Sequence, residues 1–229
     1  AQNYTSPYFN IAIANATPPG IVVRRRVVPP TREQQLAYQR AVQAQRERGR
    51  LMIKSGRVET TFQPTGGTIA PGVWAEVYAQ DGNMKQELER TYNEYVERYE
   101  TNARKLRMST NDVAVALGNL ISTARVICND AEPLNEEQFA SLVTQLRARL
   151  VKNELFAGRD NAEKQRVHEE IAMGWGDIGR YYFEARQAGD LKLLAGVRQS
   201  ARRIVGYHLN EMSLDNIQVT QSEARLPVR

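Results

Sequence analysis

The feature that most constrains the fold is a helical spacing of apolar residues that recurs along the C-terminal part of the chain. Between positions 83 and 208, apolar residues return every three or four positions in five successive stretches. Each stretch begins at a capping signal: Asn83 with Gln86, the Ser109–Asp112 run, Asn135 with Gln138, Asp160 with Glu163, and Gly189–Asp190. Amphipathic helices joined by short loops pack around one core, so residues 83–208 are predicted to form a five-helix bundle.

The first 50 residues follow other patterns. Residues 1–30 contain five prolines, and Phe9, Ile11 and Ile13 alternate with other residues at strand periodicity, which predicts an extended arm. Thr31 with Gln34 then gives a capping box for a helix over residues 31–50, with Gly49 as its end signal. This helix has few apolar residues to bury, which is typical of a solvated connector or of a helix that docks on something else.

Two further segments lack helical spacing. Residues 51–82 combine β-branched side chains with a Pro64–Gly67 turn, which predicts a short β hairpin or linker, although Val73–Tyr78 also fits a helical turn. Residues 209–229 are predicted to form an extended tail. The expected fold class is therefore mainly α: a five-helix bundle with an extended N-terminal arm, a preceding helix, a short β-like segment and an extended C-terminal tail.

Three short motifs in the bundle resemble a known family. They are Asn111-Asp112-Val113-Ala114, Ala162-Glu163-Lys164-Gln165 with Glu169-Glu170 after it, and Ala188-Gly189-Asp190. Over about residues 90–215 they are similar to a family of exported bacterial helical proteins of unknown function. The resemblance implies a helical bundle in a bacterial envelope setting, and it implies no activity and no site residue.

No motif in the sequence indicates an enzyme. The two histidines are His168 and His208, and the His168-Glu169-Glu170 run lacks the second histidine that a zinc-protease helix places one turn later. The sequence also lacks a nucleophile elbow and a glycine-rich phosphate loop. We therefore predict a non-enzymatic protein without catalytic residues, cofactor or metal, in which the single cysteine, Cys128, is a small buried side chain.

Three glycines, Gly174, Gly176 and Gly179, fall close together inside a helical pattern. Each costs about 1 kcal/mol relative to alanine, so some interaction must compensate. One interpretation is the close approach of a neighbouring helix, or a kink that lets Trp175 enter the core. The alternative is a ligand groove, and its candidate residues are Gly174, Trp175, Gly176, Tyr181 and Tyr182.

Positive charge is concentrated near the N-terminus. The formal net charge is +5, but residues 1–57 carry ten Lys/Arg and two acids, or +8, which leaves −3 for residues 58–229. Arg24, Arg25 and Arg26 lie together in the stretch VVRRRVVPP. They fit an arm that neutralises nucleic-acid phosphates, an edge strand whose charges block unwanted pairing, or an arm that binds an acidic neighbouring subunit.

The third interpretation, an arm that binds a neighbouring subunit, accounts for more features of the sequence than the other two. An arm too rich in proline to fold alone gains stability by adding as a strand to another subunit, with Phe9, Ile11 and Ile13 in pockets and Arg24, Arg25 and Arg26 on carboxylates. Head-to-tail use of such an arm gives rings or open filaments. We therefore predict a structural subunit that forms homo-oligomers. The alternatives are an envelope adaptor that binds other envelope proteins or an anionic surface and, less favoured, a nucleic-acid-binding protein.

The sequence also suggests a location. The numbering opens at Ala1-Gln2 without methionine, followed by a polar, turn-rich segment, which is typical of a mature exported protein after signal-peptide removal. The alternative is a chain that was trimmed or numbered arbitrarily. No stretch approaches the roughly 18 apolar residues of a membrane span, so we expect a protein of the periplasm, cell surface or extracellular space that does not cross a membrane.

Overall fold

A computed structural model describes residues 31–209 and 213–227. Within these residues the chain forms eight α-helices, one 3₁₀ turn and one two-stranded antiparallel sheet. The helices are α1 (Arg32–Ser55), α2 (Ala70–Tyr78), α3 (Gly82–Lys105), α4 (Val113–Asn129), α5 (Glu136–Leu150), α6 (Glu154–Ala157), α7 (Asn161–Ala188) and α8 (Leu191–His208). The 3₁₀ turn is Leu214–Asn216, and the strands are β1 (Gln218–Val219) and β2 (Ala224–Arg225).

The mainly helical prediction is confirmed, but the count of five bundle helices is not matched. The predicted stretches correspond to α3, α4, α5, α7 and α8, and the capping boxes expected at Asn135 and Asp160 both form. However, α2 also packs against α3 and α7 and buries Trp74 in the core. Helix α6 adds a single turn whose Phe156 joins the same core.

Helix α4 lies at the centre of the bundle. Twelve of its 17 residues are buried, and it packs against α5, α7 and α8. The high alanine and glycine content of α4 lets neighbours approach closely: a Cβ atom on Gly118 would lie 3.0 Å from a Val143 methyl carbon. The predicted role of Cys128 is confirmed, since its side chain is buried at the end of this helix.

The β hairpin predicted over residues 51–82 is wrong. Helix α1 continues to Ser55, and Ala70–Tyr78 is helical, as the alternative for Val73–Tyr78 suggested. The β-type pairing in this segment is one isolated antiparallel bridge, Thr61 to Asp112. The β-branched residues therefore do not pair with each other: Thr60 and Phe62 are buried against the start of α4 instead.

Gly49 does not end α1 as predicted. The helix ends at Gly56, which has the left-handed backbone (φ 66°) that favours glycine at a C-cap. Gly49 is buried, and a Cβ atom there would overlap the backbone carbonyl of Glu154 in α6. This glycine signal thus marks a close contact between two helices and not a helix end.

The described part of the tail, residues 213–227, contains no α-helix, as predicted, but it packs on the bundle. Leu214, Ile217, Ala224 and Leu226 are all buried in the main core. Gln145 of α5 fixes the second strand, because its Nε2 donates to the Ala224 carbonyl (2.8 Å) and its Oε1 accepts from the Leu226 N–H (2.9 Å). The predicted arm, residues 1–30, lies outside the described residues.

Candidate functional site

The least buried element of the described chain is the N-terminal half of α1. Every residue from 31 to 40 is exposed, so this half of the helix has solvent on all sides. Leu36 and Tyr38 are 45% and 42% exposed, and Leu51 further along is 68% exposed. Contacts within the chain contribute little to the stability of such a helix. Its exposed side chains therefore form a surface that is available to another molecule.

Helix α1 is attached to the bundle by its C-terminal half, mainly through α6. Gly49 of α1 and Gly158, which caps α6, face each other closely enough that a Cβ atom on either would overlap the backbone of the other segment. Gln45 Nε2 donates to the Leu155 carbonyl (2.6 Å), and Arg50 pairs with Glu154 (2.8 Å). We call this contact the glycine joint.

The charge of α1 is strongly positive. Its 24 residues include five arginines and one lysine but two glutamates, a net of +4. Arg40 and Arg46 are exposed. The Arg24–Arg26 run, which precedes α1 in sequence, extends this basic stretch toward the N-terminus. Helix α1 therefore offers cations and exposed apolar side chains on one element.

An acidic surface lies elsewhere on the bundle, at the connection between α4 and α5. Between Arg125 and Arg147 the four Asp, Glu, Lys or Arg residues are all acids, Asp130, Glu132, Glu136 and Glu137, and all four are exposed. Asp130 pairs with Arg198 of α8 (2.6 Å). We call residues 130–137 the acidic loop. Its charge is complementary to that of α1.

The predicted contact residues Phe9, Ile11, Ile13, Arg24, Arg25 and Arg26 all lie outside the described residues. The predicted groove residues lie on α7. A Cβ atom on Gly174 would lie 3.2 Å from a methyl carbon of Ile204, and one on Gly176 would lie 2.7 Å from the Tyr95 ring. The surroundings of both glycines thus support the interpretation of close helix packing.

Trp175 borders a surface depression of about 490 Å³. The other lining residues are polar side chains of α3: Glu94, Glu97, Arg98, Thr101, Asn102 and Lys105. The indole Nε1 donates to Thr123 Oγ1 (2.9 Å), and the ring packs edge-on against Tyr99 with centroids 5.9 Å apart. The predicted walls Tyr181 and Tyr182 do not line this depression, so its geometry differs from the groove envisaged from the sequence.

Asp177 of α7 is half-buried, and its charge interacts with tyrosines of α3 and α7. Burial raises the pKa of Asp177 to about 7, against the opposing effect of the Arg180 charge. Burial also raises the pKa of Tyr92, Tyr95 and Tyr181, and the charge of Asp177 adds to each of these shifts. These groups stay uncharged at neutral pH or titrate close to it, which fits a packed interior.

A buried polar network on α7 was missed from the sequence. Glu169 Oε2 accepts from the backbone N–H groups of Ile69 and Ala70 (2.7 Å each) and so caps the start of α2. Gln165 Nε2 donates to Glu169 Oε1 (2.8 Å) and to the Gly67 carbonyl (2.7 Å). The sequence signal was the charged run at 168–170 inside a helix, where the apolar spacing requires some of these residues to face the core.

His168 is a core residue. It is 2% exposed and lies between the rings of Phe62 and Tyr99, each with centroids 5.2 Å from the imidazole. Burial lowers the pKa of His168 to about 4, so the imidazole is neutral at pH 7. Among the described residues, no group of three or more His, Cys, Asp or Glu side chains has the geometry to hold a metal ion.

Residues 26–209 match the model of a family of unknown function (DUF6683). No curated protein and no solved structure matches the chain.

Proposed function

Because the chain belongs to the DUF6683 family of unknown function, its role has to be inferred from its own architecture, and we propose that it is a non-enzymatic assembly subunit. In this proposal the basic N-terminal region, comprising residues 1–30 and α1, binds a neighbouring copy of the same chain. The contact is head to tail and gives a ring or a filament. The setting we propose is the envelope or exterior of a bacterium.

The observation that carries the proposal is the exposure of α1. A 24-residue helix extends about 36 Å, yet residues 31–40 are exposed on every side. Leu36 and Tyr38 in this half would gain free energy by burial against a partner. Such a helix acts most simply as one side of an intermolecular contact.

The acceptor that we propose on the neighbouring copy is the acidic loop. Its four carboxylates are opposite in sign to the net +4 charge of α1 and equal to it in number. Because the two surfaces belong to different elements of one chain, each copy would offer its α1 to one neighbour and its acidic loop to another, so the contact repeats. Rim charges of this kind govern association rate and salt dependence more than final affinity.

The test is light scattering of the full chain at low and high salt. We expect species larger than 25.9 kDa at low salt that shrink toward the monomer mass as salt rises. The double variant Arg40→Glu with Arg46→Glu should stay monomeric at low salt. Adding the loop changes Glu132→Lys and Glu136→Lys to it should restore assembly, since the charges are then exchanged.

Arg186→Glu is the matched control. Arg186 is an exposed arginine in the last turn of α7, far along the chain from α1, and its reversal should leave the mass unchanged. Equal effects of the control and the α1 variant would indicate a general charge effect and would overturn the proposed contact. A monomer at every salt concentration would also overturn it.

A second candidate function is binding to an anionic surface. Helix α1 combines its +4 charge with exposed Leu36, Leu51 and Met52, a combination found in helices that lie on membranes. Sedimentation with vesicles of phosphatidylglycerol, compared with phosphatidylcholine, distinguishes this candidate. Binding to the anionic vesicles alone, by a protein that is monomeric in solution, would favour it over assembly.

No helix among the described residues is long and apolar enough to cross a membrane. Export stays a prediction from the sequence. Proteomic detection of the chain in a periplasmic or extracellular fraction would test it.

A further inference from the structure

We infer that the outer edge of β1 binds an extended segment of a neighbouring copy, residues 8–17 of its N-terminal arm, as an added β-strand. We call residues 218–220 the β1 edge. This pairing rests on the proposed assembly, and it adds to the acidic loop a second acceptor surface that is specific for the arm.

The hydrogen-bond pattern of the C-terminal hairpin leaves the β1 edge open. The Thr220 N–H donates to the Glu223 carbonyl (2.8 Å), so the next pair along the ladder, Val219 with Ala224, is a pair without hydrogen bonds between its members. The N–H and carbonyl groups of Val219 therefore point away from β2. They form no hydrogen bond with residues 31–209 or 213–227. Gln218 and Thr220, on either side of Val219, are exposed.

The other edge of the sheet, on β2, is closed by α5. Gln145 bonds to the Ala224 carbonyl and the Leu226 N–H, which are the groups of β2 that point away from β1. Natural proteins protect a free edge with charged residues or proline. The Gln-Val-Thr sequence of the β1 edge contains neither. Its backbone groups are thus available to an added strand.

The sequence of the arm suits such an edge. Residues 8–17, YFNIAIANAT, are the longest stretch of the arm without proline, so every backbone N–H that a strand requires is present. Phe9, Ile11 and Ile13 alternate with asparagine and alanine. In a strand added beside Val219, whose side chain packs against the core, the apolar residues would extend the buried face of the sheet and the others its exposed face.

The β1 edge adjoins the acidic loop. Asn135 in this loop and Gln138 directly after it donate to carbonyls in the turn between β1 and β2 (3.2 and 2.6 Å). The Arg24–Arg26 run begins 11 residues after Ile13, a span of up to about 36 Å when extended. The arginines can therefore reach the carboxylates of the loop while residues 8–17 are paired with β1.

The arm starts away from its own core, which favours the edge of a neighbouring copy. It precedes α1, which extends about 27 Å from Gly49 in the glycine joint to Thr31. Residues 31–40 of this helix are exposed on every side. Residues 8–17 and the β1 edge also both lie outside residues 26–209, which match the family. Their pairing would thus be a feature that this chain adds to the shared bundle.

Crosslinking of two full-length proteins tests the contact. Both carry Cys128→Ala; one adds Ala12→Cys in the arm, and the other adds Gln218→Cys at an exposed position of β1. With a short bis-maleimide reagent at low salt, the mixture should give a crosslinked heterodimer, and neither protein alone should give a dimer. Gln187→Cys, at an exposed position of α7, is the matched control for Gln218→Cys and should give no heterodimer.

Paired variants test whether the arm binds as a strand. Ile11→Asp should lower the heterodimer yield at least about tenfold, because it places a charge on the buried face. Asn10→Asp adds the same charge to the other face and should leave the yield unchanged. Val219→Pro removes an N–H that faces the added strand and no hydrogen bond to β2, so it should also lower the yield. The arm variants keep the test valid if Val219→Pro unfolds the hairpin.

The outcomes separate this pairing from the assembly itself. Salt-dependent assembly without a crosslinked heterodimer would overturn the pairing and leave the proposed assembly standing. A heterodimer from a protein whose mass does not depend on salt would support the pairing and overturn the charged contact of α1. Equal yields with Gln187→Cys, or equal losses with Asn10→Asp and Ile11→Asp, would overturn the pairing. A crosslink that forms only within a single chain carrying both cysteines would overturn it as well.

Discussion

At the scale of single residues, the glycines of α7 differ in what surrounds them. A Cβ atom on Gly176 would lie 2.7 Å from the Tyr95 ring, whose position is fixed by burial, whereas a Cβ atom on Gly179 would meet nothing within 4 Å. One helix therefore contains a glycine that packing requires and a glycine that it does not. A sequence pattern treats the two as equivalent.

This difference predicts opposite effects of one substitution. We expect Gly176→Ala to lower the free energy of unfolding by about 1–3 kcal/mol, because overpacking outweighs the gain in helix propensity. Gly179→Ala should raise it by up to about 1 kcal/mol. Urea unfolding followed by circular dichroism measures both. A stabilising Gly176→Ala would contradict the packing role.

His168 predicts a pH dependence. In the folded protein burial lowers its pKa to about 4, and in the unfolded chain it titrates near 6.5. The unfolded state therefore binds more protons between these values, so the contribution of His168 to stability is complete above about pH 6.5 and is lost as pH falls toward 4. Asp177 acts in the opposite sense, because its raised pKa favours folding as pH falls below about 7.

The two effects are separated by comparing variants. The phenylalanine ring of His168→Phe should fit between Phe62 and Tyr99. Between pH 7 and pH 5 the free energy of unfolding of this variant should fall by about 2 kcal/mol less than that of the natural chain. Asp177→Asn is the counterpart, and it should steepen the decline instead. Urea unfolding at both pH values gives the numbers. Parallel pH profiles for the natural chain and His168→Phe would exclude this role for His168.

At the scale of elements, α2 depends on a side chain from a distant helix. Its own N-cap residue, Ile69, provides no side-chain hydrogen bond, and Glu169 of α7 accepts from the first N–H groups instead. We expect Glu169→Gln to lower the free energy of unfolding by about 1–3 kcal/mol, since an amide cannot replace both charge-assisted contacts. Glu87→Gln, at an exposed position of α3, should have no effect in the same urea titration.

The attachment of α1 gives a second prediction at this scale. Gly49→Ala would place a Cβ atom on the Glu154 carbonyl and should detach α1 without unfolding the bundle. The rate of amide hydrogen exchange across residues 41–55 should rise at least about tenfold, which corresponds to a loss of about 1.4 kcal/mol in the local free energy of opening. Exchange in α4 should be unchanged. Gly196→Ala, where nothing lies within 4 Å, is the matched control.

The elements also show what the sequence could predict. Helix starts at Asn135 and Asp160 were predictable because a capping box is a local signal, read within four residues. The helix at Ala70–Tyr78 was obscured because its cap, Glu169, is 99 residues away from Ala70. Gly49 was misinterpreted for the same reason, since its partner in α6 is distant in sequence. Long-range contacts of this kind leave no periodic pattern.

At the scale of the whole molecule, the C-terminal tail completes the core. The match to the family ends at residue 209, yet Leu214, Ile217 and Leu226 beyond it are 1–7% exposed in the main core. Removing residues 210–229 should cost at least about 3 kcal/mol, since burying each large aliphatic side chain contributes about 1.5–3 kcal/mol. Thermal unfolding measures the change. An unaltered melting temperature would contradict this role of the tail.

Helix α1 is held at the glycine joint near one end, so a small tilt there moves its free end by a larger distance. From Gly49 to Thr31 the helix spans 18 residues, about 27 Å, so each degree of tilt at the joint moves the free end by about half an ångström. In an assembly joined through α1, that tilt is repeated at every subunit and adds up around the array. The angle at two facing glycines would then set the curvature, and with it the number of copies that close a ring.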